Sequence, residues 1–324
     1  MATYKGISGF NIKSLASDPS NLKLGEIWYN STSGTLKVAA TVAGAFSSGT
    51  NITTARRSNN GAGDKNAALV VNGYGPAFSN ATEEYDGSSW TTTGNATFSV
   101  YGSAGGGTQT TAWMTGGDLG PANNLATNEY DGSAWASTNT NPNAQTQGGG
   151  CGVQTAGLYA GGLGATGTQT YDGSSWTATP HVLNVARTNV GQAMTGIQDA
   201  AIIVGNQPAT TVVESYDGSS WSVIPATIPN AGYAISSAGT QTATLIYGGG
   251  PAGFDGTTTA TYDGSSWTTG GALGTPRGAG GSGQGASTEA TAFLASGQTP
   301  GPTNSSAMEE YTAAAAGAIT ITTS

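Results

Sequence analysis

The chain has 324 residues, of which 8% are charged and 53 are glycine; an ordinary soluble domain is about 25% charged. Thirteen Tyr and seven Trp argue against a disordered low-complexity chain. So much glycine argues against a helical one, which leaves an all-β chain of short strands and tight turns.

The net charge of −9 is unevenly spread. Residues 1–65 carry seven cations against three acids, net +4, and the remainder carries two against fifteen, net −13. A weakly basic head on an acidic body points to two parts with different partners, and the body repels nucleic-acid phosphates. The single cysteine, Cys151, excludes an intramolecular disulfide.

In chain order, residues 1–45 come first and do not repeat. Their start, MATYKGISGF, has no apolar core of a secretory leader, so none is expected. No run of about 18 apolar residues reads as a membrane span. The segment Gly25-Glu26-Ile27-Trp28-Tyr29-Asn30-Ser31-Thr32-Ser33-Gly34-Thr35-Leu36-Lys37-Val38 reads as two short strands around a turn. Residues 1–45 are expected to anchor the protein to a partner or to copies of itself.

A repeat follows. Tyr-Asp-Gly-Ser-Ser-Trp occurs at Tyr85-Asp86-Gly87…Trp90, Tyr171-Asp172-Gly173…Trp176, Tyr216-Asp217-Gly218…Trp221 and Tyr262-Asp263-Gly264…Trp267. A near copy, with Ala134, spans Tyr130-Asp131-Gly132…Trp135. Upstream of each Tyr lies a short apolar run, continuous and so expected to be buried on both faces. A sixth run, Thr291–Gly297, leads to Tyr311, which lacks the Asp-Gly and the Trp. The missing Trp phase is found at Phe46, 44 residues before Trp90. Phe46 precedes Arg57 by 11 residues, as Trp176 precedes Arg187. Each unit therefore reads as four strands, with Asp-Gly as the two-residue turn between the third and fourth.

Four-stranded units of roughly 40 to 50 residues read as β-propeller blades. The apolar strand ending in Gly-Gly (Gly116-Gly117, Gly161-Gly162, Gly248-Gly249), followed by Tyr and then Trp, resembles the kelch repeat family over about residues 46–316. The expected fold is all-β, a six-bladed kelch-like propeller over residues 46–324 with a small N-terminal extension. The strand Ala45-Phe46-Ser47-Ser48 is expected beside the strand ending at Tyr311. The C-terminal strand Ala318–Thr322 ranks second for that place, with the head near Leu36-Lys37-Val38 as its other destination.

The Gly25–Val38 segment resembles one that recurs in tail-fibre and appendage proteins of tailed bacteriophages, marine ones in particular. That resemblance implies a virion structural protein displaying its propeller for host-surface adhesion. Residues 1–45 would then meet other virion proteins, in multiple copies or as a homo-oligomer, and the body a host-surface glycan or protein receptor. The alternative is a decoration protein of capsid or tail without a specific ligand, and a carbohydrate-active or lectin-like propeller ranks third.

No catalytic, cofactor or metal site is expected, no contact with nucleic acid, and no membrane insertion. Some kelch propellers are copper radical oxidases, but one His, His181, and one Cys, Cys151, do not make a multi-histidine site. A sialidase needs an arginine cluster for its carboxylate substrate, and this chain has four arginines. Asp86, Asp131, Asp172, Asp217 and Asp263 read as turn residues rather than calcium ligands. The five Trp read as packing between blades, and Trp113 as core.

Overall fold

The computed structural model describes residues 12–120, 122–250, 256–283, 287–301 and 303–322. Each apolar run forms the second strand of a four-stranded antiparallel sheet. Sheet I comprises Asn60–Asp64, Ala67–Val71, Thr82–Tyr85 and Trp90–Thr93. Sheet II comprises Ala104–Gly107, Ala112–Thr115, Ala126–Tyr130 and Trp135–Thr140; sheet III, Gly149–Val153, Ala156–Ala160, Thr168–Tyr171 and Trp176–Ala178. Sheet IV comprises Met194–Ile197, Ala200–Val204, Val213–Tyr216 and Trp221–Val223. Sheet V comprises Ile235–Thr240, Ala243–Tyr247, Thr259–Tyr262 and Trp267–Thr269, with Gly191–Gln192 added parallel to Ile235–Ser236. The fold is all-β; among the described residues one 3₁₀ turn, Glu289–Thr291, is the only helical element.

Sheet VI is assembled from distant segments. Gly281–Ser282, Phe293–Gln298 and Asn304–Thr312 supply three strands, and Ala45–Ser48 supplies the fourth. Phe46 pairs with Tyr311, the register that Trp90 and Tyr85 adopt in sheet I. Its ring lies 5.1 Å from those of Tyr311 and, in sheet V, Tyr247.

Burial falls from the first strand to the fourth. In sheet I the first four residues of Asn60–Asp64 are buried, whereas past Trp90 the fourth strand is largely exposed. The first strands neighbour one another in order, I to II through to VI, and that of VI neighbours that of I. Their glycines follow from this approach: a Cβ on Gly150 would come within 2.5 Å of the Gly105 main-chain nitrogen.

Two compact units result, residues 45–312 and residues 1–44 with 313–324. In the second, Lys13–Leu15, Ile27–Asn30, Thr35–Val42 and Ala315–Thr320 form one sheet in that order. Ile319 pairs with Val38. The C-terminal strand, expected in the repeat domain of residues 46–324, therefore belongs with the head. The fourth place of sheet VI is already taken by Ala45–Ser48, and Thr35–Val42 offers the C-terminal strand a free edge. Trp28 fills the centre of this sheet at 1% exposure. Hydrogen bonds from Asn30 Nδ2 (2.8 Å) and Trp28 Nε1 (3.0 Å) hold the Asp18 carboxyl below the usual carboxylate range. Residues 1–11 of the expected anchoring segment lie outside the described residues.

Two local expectations are corrected. The hairpin turn is centred on Gly-Ser rather than Asp-Gly. Asp86 N donates to Ser89 O at 3.2 Å, enclosing Gly87, whose φ is +88°, and Ser88. Glycine at the first central position suits a hairpin turn. Asp86 instead closes the loop from outside, its Oδ1 accepting from Ser88 N, Ser88 Oγ and Ser89 N at 2.7 to 2.9 Å. Second, the arginine in phase with Arg187 and Arg277 is Arg56, not Arg57. All three are fully buried against glutamates, Arg56 with Glu83 (3.2 Å), Arg187 with Glu214 (2.8 Å) and Arg277 with Glu309 (2.5 Å).

Candidate functional site

The repeated side chains lie where the sheets meet. In each hexapeptide the Tyr ring packs on the following Trp, from Tyr85–Trp90 to Tyr262–Trp267, with centroids 4.8 to 5.0 Å apart. The indole N–H then reaches the preceding sheet. Trp135 donates to Thr82 Oγ1 (2.9 Å), Trp176 to Thr127 Oγ1 (2.7 Å) and Trp221 to Thr168 Oγ1 (2.9 Å). Trp90 donates to Thr50 O (2.8 Å). Trp267 breaks the series: Val213 stands in the threonine phase, and the indole nitrogen is buried without a partner.

The tyrosine hydroxyls make a second set of bonds. Tyr85 donates to Glu310 (2.6 Å), Tyr130 to Glu84 (2.8 Å) and Tyr171 to Glu129 (2.7 Å). Desolvation, helped by these carboxylates, pushes each of the three up to about 12. Tyr216 turns instead to Gly218 O. The five aspartates, exposed at the hairpins, accept bonds from their own loops. Neighbouring serine hydroxyls and amides hold Asp86, Asp172 and Asp217 at about 2.

Glutamines that the sequence reading passed over complete these joints. Gln109 Nε2 donates to Ala68 O (3.0 Å) and Tyr85 O (2.7 Å) of the preceding sheet. Gln154, Gln198 and Gln241 repeat the pattern, and Lys65 Nζ takes the phase in sheet I, donating to Tyr311 O at 2.7 Å. Their common phase was the signal available. Trp113 is core at 1% exposure, and burial pushes the Cys151 thiol upward. Among the described residues, no three His, Cys, Asp or Glu side chains cluster in a way that could hold a metal.

The arrangement open to a ligand is elsewhere. Ahead of each first strand a residue has a left-handed backbone: Ser58, Gly102, Gln147, Asn189, Ala234 and Ala279, with φ between 50 and 67°. Their peptides link head to tail. Gly102 N donates to Ser58 O and Gln147 N to Gly102 O, both at 2.7 Å. Val190 N donates to Gln147 O (3.3 Å), Ala234 N to Asn189 O (2.8 Å), Ala279 N to Ala234 O (2.9 Å), and Ser58 N to Ala279 O (2.6 Å). The cycle thus returns to its start. Adjoining it is a buried amide network: Gln192 Nε2 donates to Asn59 O (2.5 Å), and its Oε1 accepts from Ser282 N (2.7 Å) and Oγ (2.9 Å).

The cycle also borders an open depression of about 340 Å³. Arg57, Tyr101, Gln147, Asn189, Tyr233 and Gln298 are among its lining residues. Tyr101 packs against Tyr74 and Phe78, with ring centroids 6.1 and 5.4 Å away. Its hydroxyl donates to Asp118 Oδ2 at 2.9 Å; burial and that carboxylate raise its pKa above the ordinary tyrosine value. Aromatic faces with a few convergent polar groups are the make-up of a small-ligand site. Neither a protein-family model nor a curated protein matches the sequence.

Proposed function

We propose that residues 45–312 form a six-bladed kelch-like β-propeller and that the protein is a virion structural protein of tailed bacteriophages, of tail-fibre or appendage type. In this reading the propeller is displayed outward for host-surface adhesion, and the head joins other virion proteins. The propeller reading is supported by six sheets, each built on four antiparallel strands, whose first strands neighbour one another in sequence and return to the first. The virion reading rests on the resemblance of Gly25–Val38 and on a low-charge body rich in small polar residues. For adhesion, the carrying observation is the depression bordered by the left-handed cycle, which gathers tyrosines, amides and a guanidinium from distant parts of the chain.

The test is antibody labelling of the protein on purified particles in the electron microscope, paired with binding of the free protein to host cells. Labelling at fibre or appendage tips together with cell binding is the expected result. Labelling without cell binding favours a decoration protein, and absence from particles overturns the virion reading.

A further inference from the structure

Most of the body's cations are already engaged. Arg56, Arg187 and Arg277 are buried on glutamates, and Lys65 donates to a main-chain oxygen. Arg57 is different. It is half-buried at the depression, its guanidinium lies 4.8 Å from the Tyr74 ring centre, and its Nη1 donates to Asn304 Oδ1 at 3.0 Å. Among the described residues it has no carboxylate partner. A guanidinium carries five N–H donors in a rigid fork, so Arg57 retains several for a ligand, and the Tyr74 ring fixes where they point.

The groups around it are equally uncommitted. The Gln147 and Gln298 side chains bond to nothing among the described residues, and Asn189 has one long bond, 3.3 Å to Gln207. Tyr101 is immobilised by Phe78, Tyr74 and Asp118, so its ring is presented with little rotational freedom left to lose on binding. No carboxylate is among the described lining residues, although residues 66–324 carry net −13. Flat aromatic surface suits the C–H face of a sugar ring, amides suit its hydroxyls, and a forked guanidinium suits a carboxylate in two-point contact.

We infer that this depression binds a saccharide end bearing a carboxylate. Tyr101 and Tyr233 supply the ring platform, Gln147, Asn189 and Gln298 the hydroxyl contacts, and Arg57 the carboxylate contact. The inference rests on the adhesion reading for its biological role, and on the depression alone for its chemistry.

The experiment titrates the full chain with glucuronate and with glucose, followed by ligand-observed NMR. Glucuronate is expected to bind about tenfold more tightly than glucose, the size of one charge-assisted bond's advantage. Arg57→Gln is expected to bring the two sugars within about twofold of each other, and Tyr101→Leu to weaken both. If either variant fails to fold, Gln298→Ala, at a strand end, is expected to weaken both sugars without altering their ratio. Equal binding of the two sugars, no binding of either, or binding indifferent to these substitutions overturns the inference. Host-cell binding separates it from the adhesion reading. Cells bound equally by the native chain and Arg57→Gln leave adhesion standing without this ligand; glucuronate bound but cells ignored leaves the site standing without adhesion.

Discussion

Val213 and Trp267 show how far one methyl group can matter. Three other joints place a threonine hydroxyl under the indole nitrogen; here a methyl stands there instead, and a buried N–H is left unmatched. Val213→Thr is therefore expected to stabilise the protein by about 1 kcal/mol, the usual net value of a restored hydrogen bond, read as a higher urea midpoint. The reverse change, Thr168→Val, should cost about 1–2 kcal/mol by orphaning Trp221. The hairpin aspartates give a pH prediction. Asp86, Asp172 and Asp217 titrate at about 2 in the folded chain, below the ordinary value of 3.8. Because the folded value is depressed, their contribution is complete above about pH 4 and is lost as pH falls towards 2. Replacing all five with Asn keeps an oxygen for the turn amides but removes the titration. Melting temperature plotted from pH 5 to 2 should fall less steeply for that variant than for the native chain.

The strands themselves were largely legible from sequence, because apolar runs, Tyr and Trp recur in phase and a buried second strand needs no partner to announce itself. Phe46 was legible for the same reason: it sits one period ahead of Trp90 and supplies an aromatic ring where the sixth unit has none. What escaped was set by main-chain geometry rather than residue type. Serine, glycine, glutamine, asparagine and two alanines all occupy the left-handed position, so no letter marks it. Arg56 and Arg57 are adjacent, and only the direction of each side chain decides which is buried. The glutamine latches were visible as a spacing but look like ordinary polar residues of a hairpin. Their effect is testable: Gln198→Ala leaves the Gly157 and Tyr171 carbonyls without this donor and should cost about 1–2 kcal/mol in a denaturant melt. The buried ion pairs should be more sensitive. Arg187→Leu leaves the carboxylate of Glu214, at 0% exposure, without its arginine and is expected to cost about 3–5 kcal/mol; making Glu214 apolar as well should recover only part of this, because the Asn184 and Val185 amides then lose their acceptor. A double-mutant cycle measures that recovery.

At the scale of the whole chain, sheet VI and the head sheet share a property that the other five sheets lack. Sheets I to V are built from segments close in sequence, whereas residues 45–48 wait for residues 304–312 and residues 35–42 for residues 315–320. On a ribosome adding about 5–20 residues per second, that wait is on the order of tens of seconds. During it, Phe46 and the edge of Thr35–Val42 have no mate. Both sheets are finished only once residues 304–320 have been made. A chain released early through a stalled ribosome or a nonsense codon therefore carries an unfinished head and an unpaired strand however well its first five sheets have folded. Synthesis through residue 320 becomes a checkpoint for assembly, and copies cut short of it present an exposed edge that proteases and chaperones can recognise.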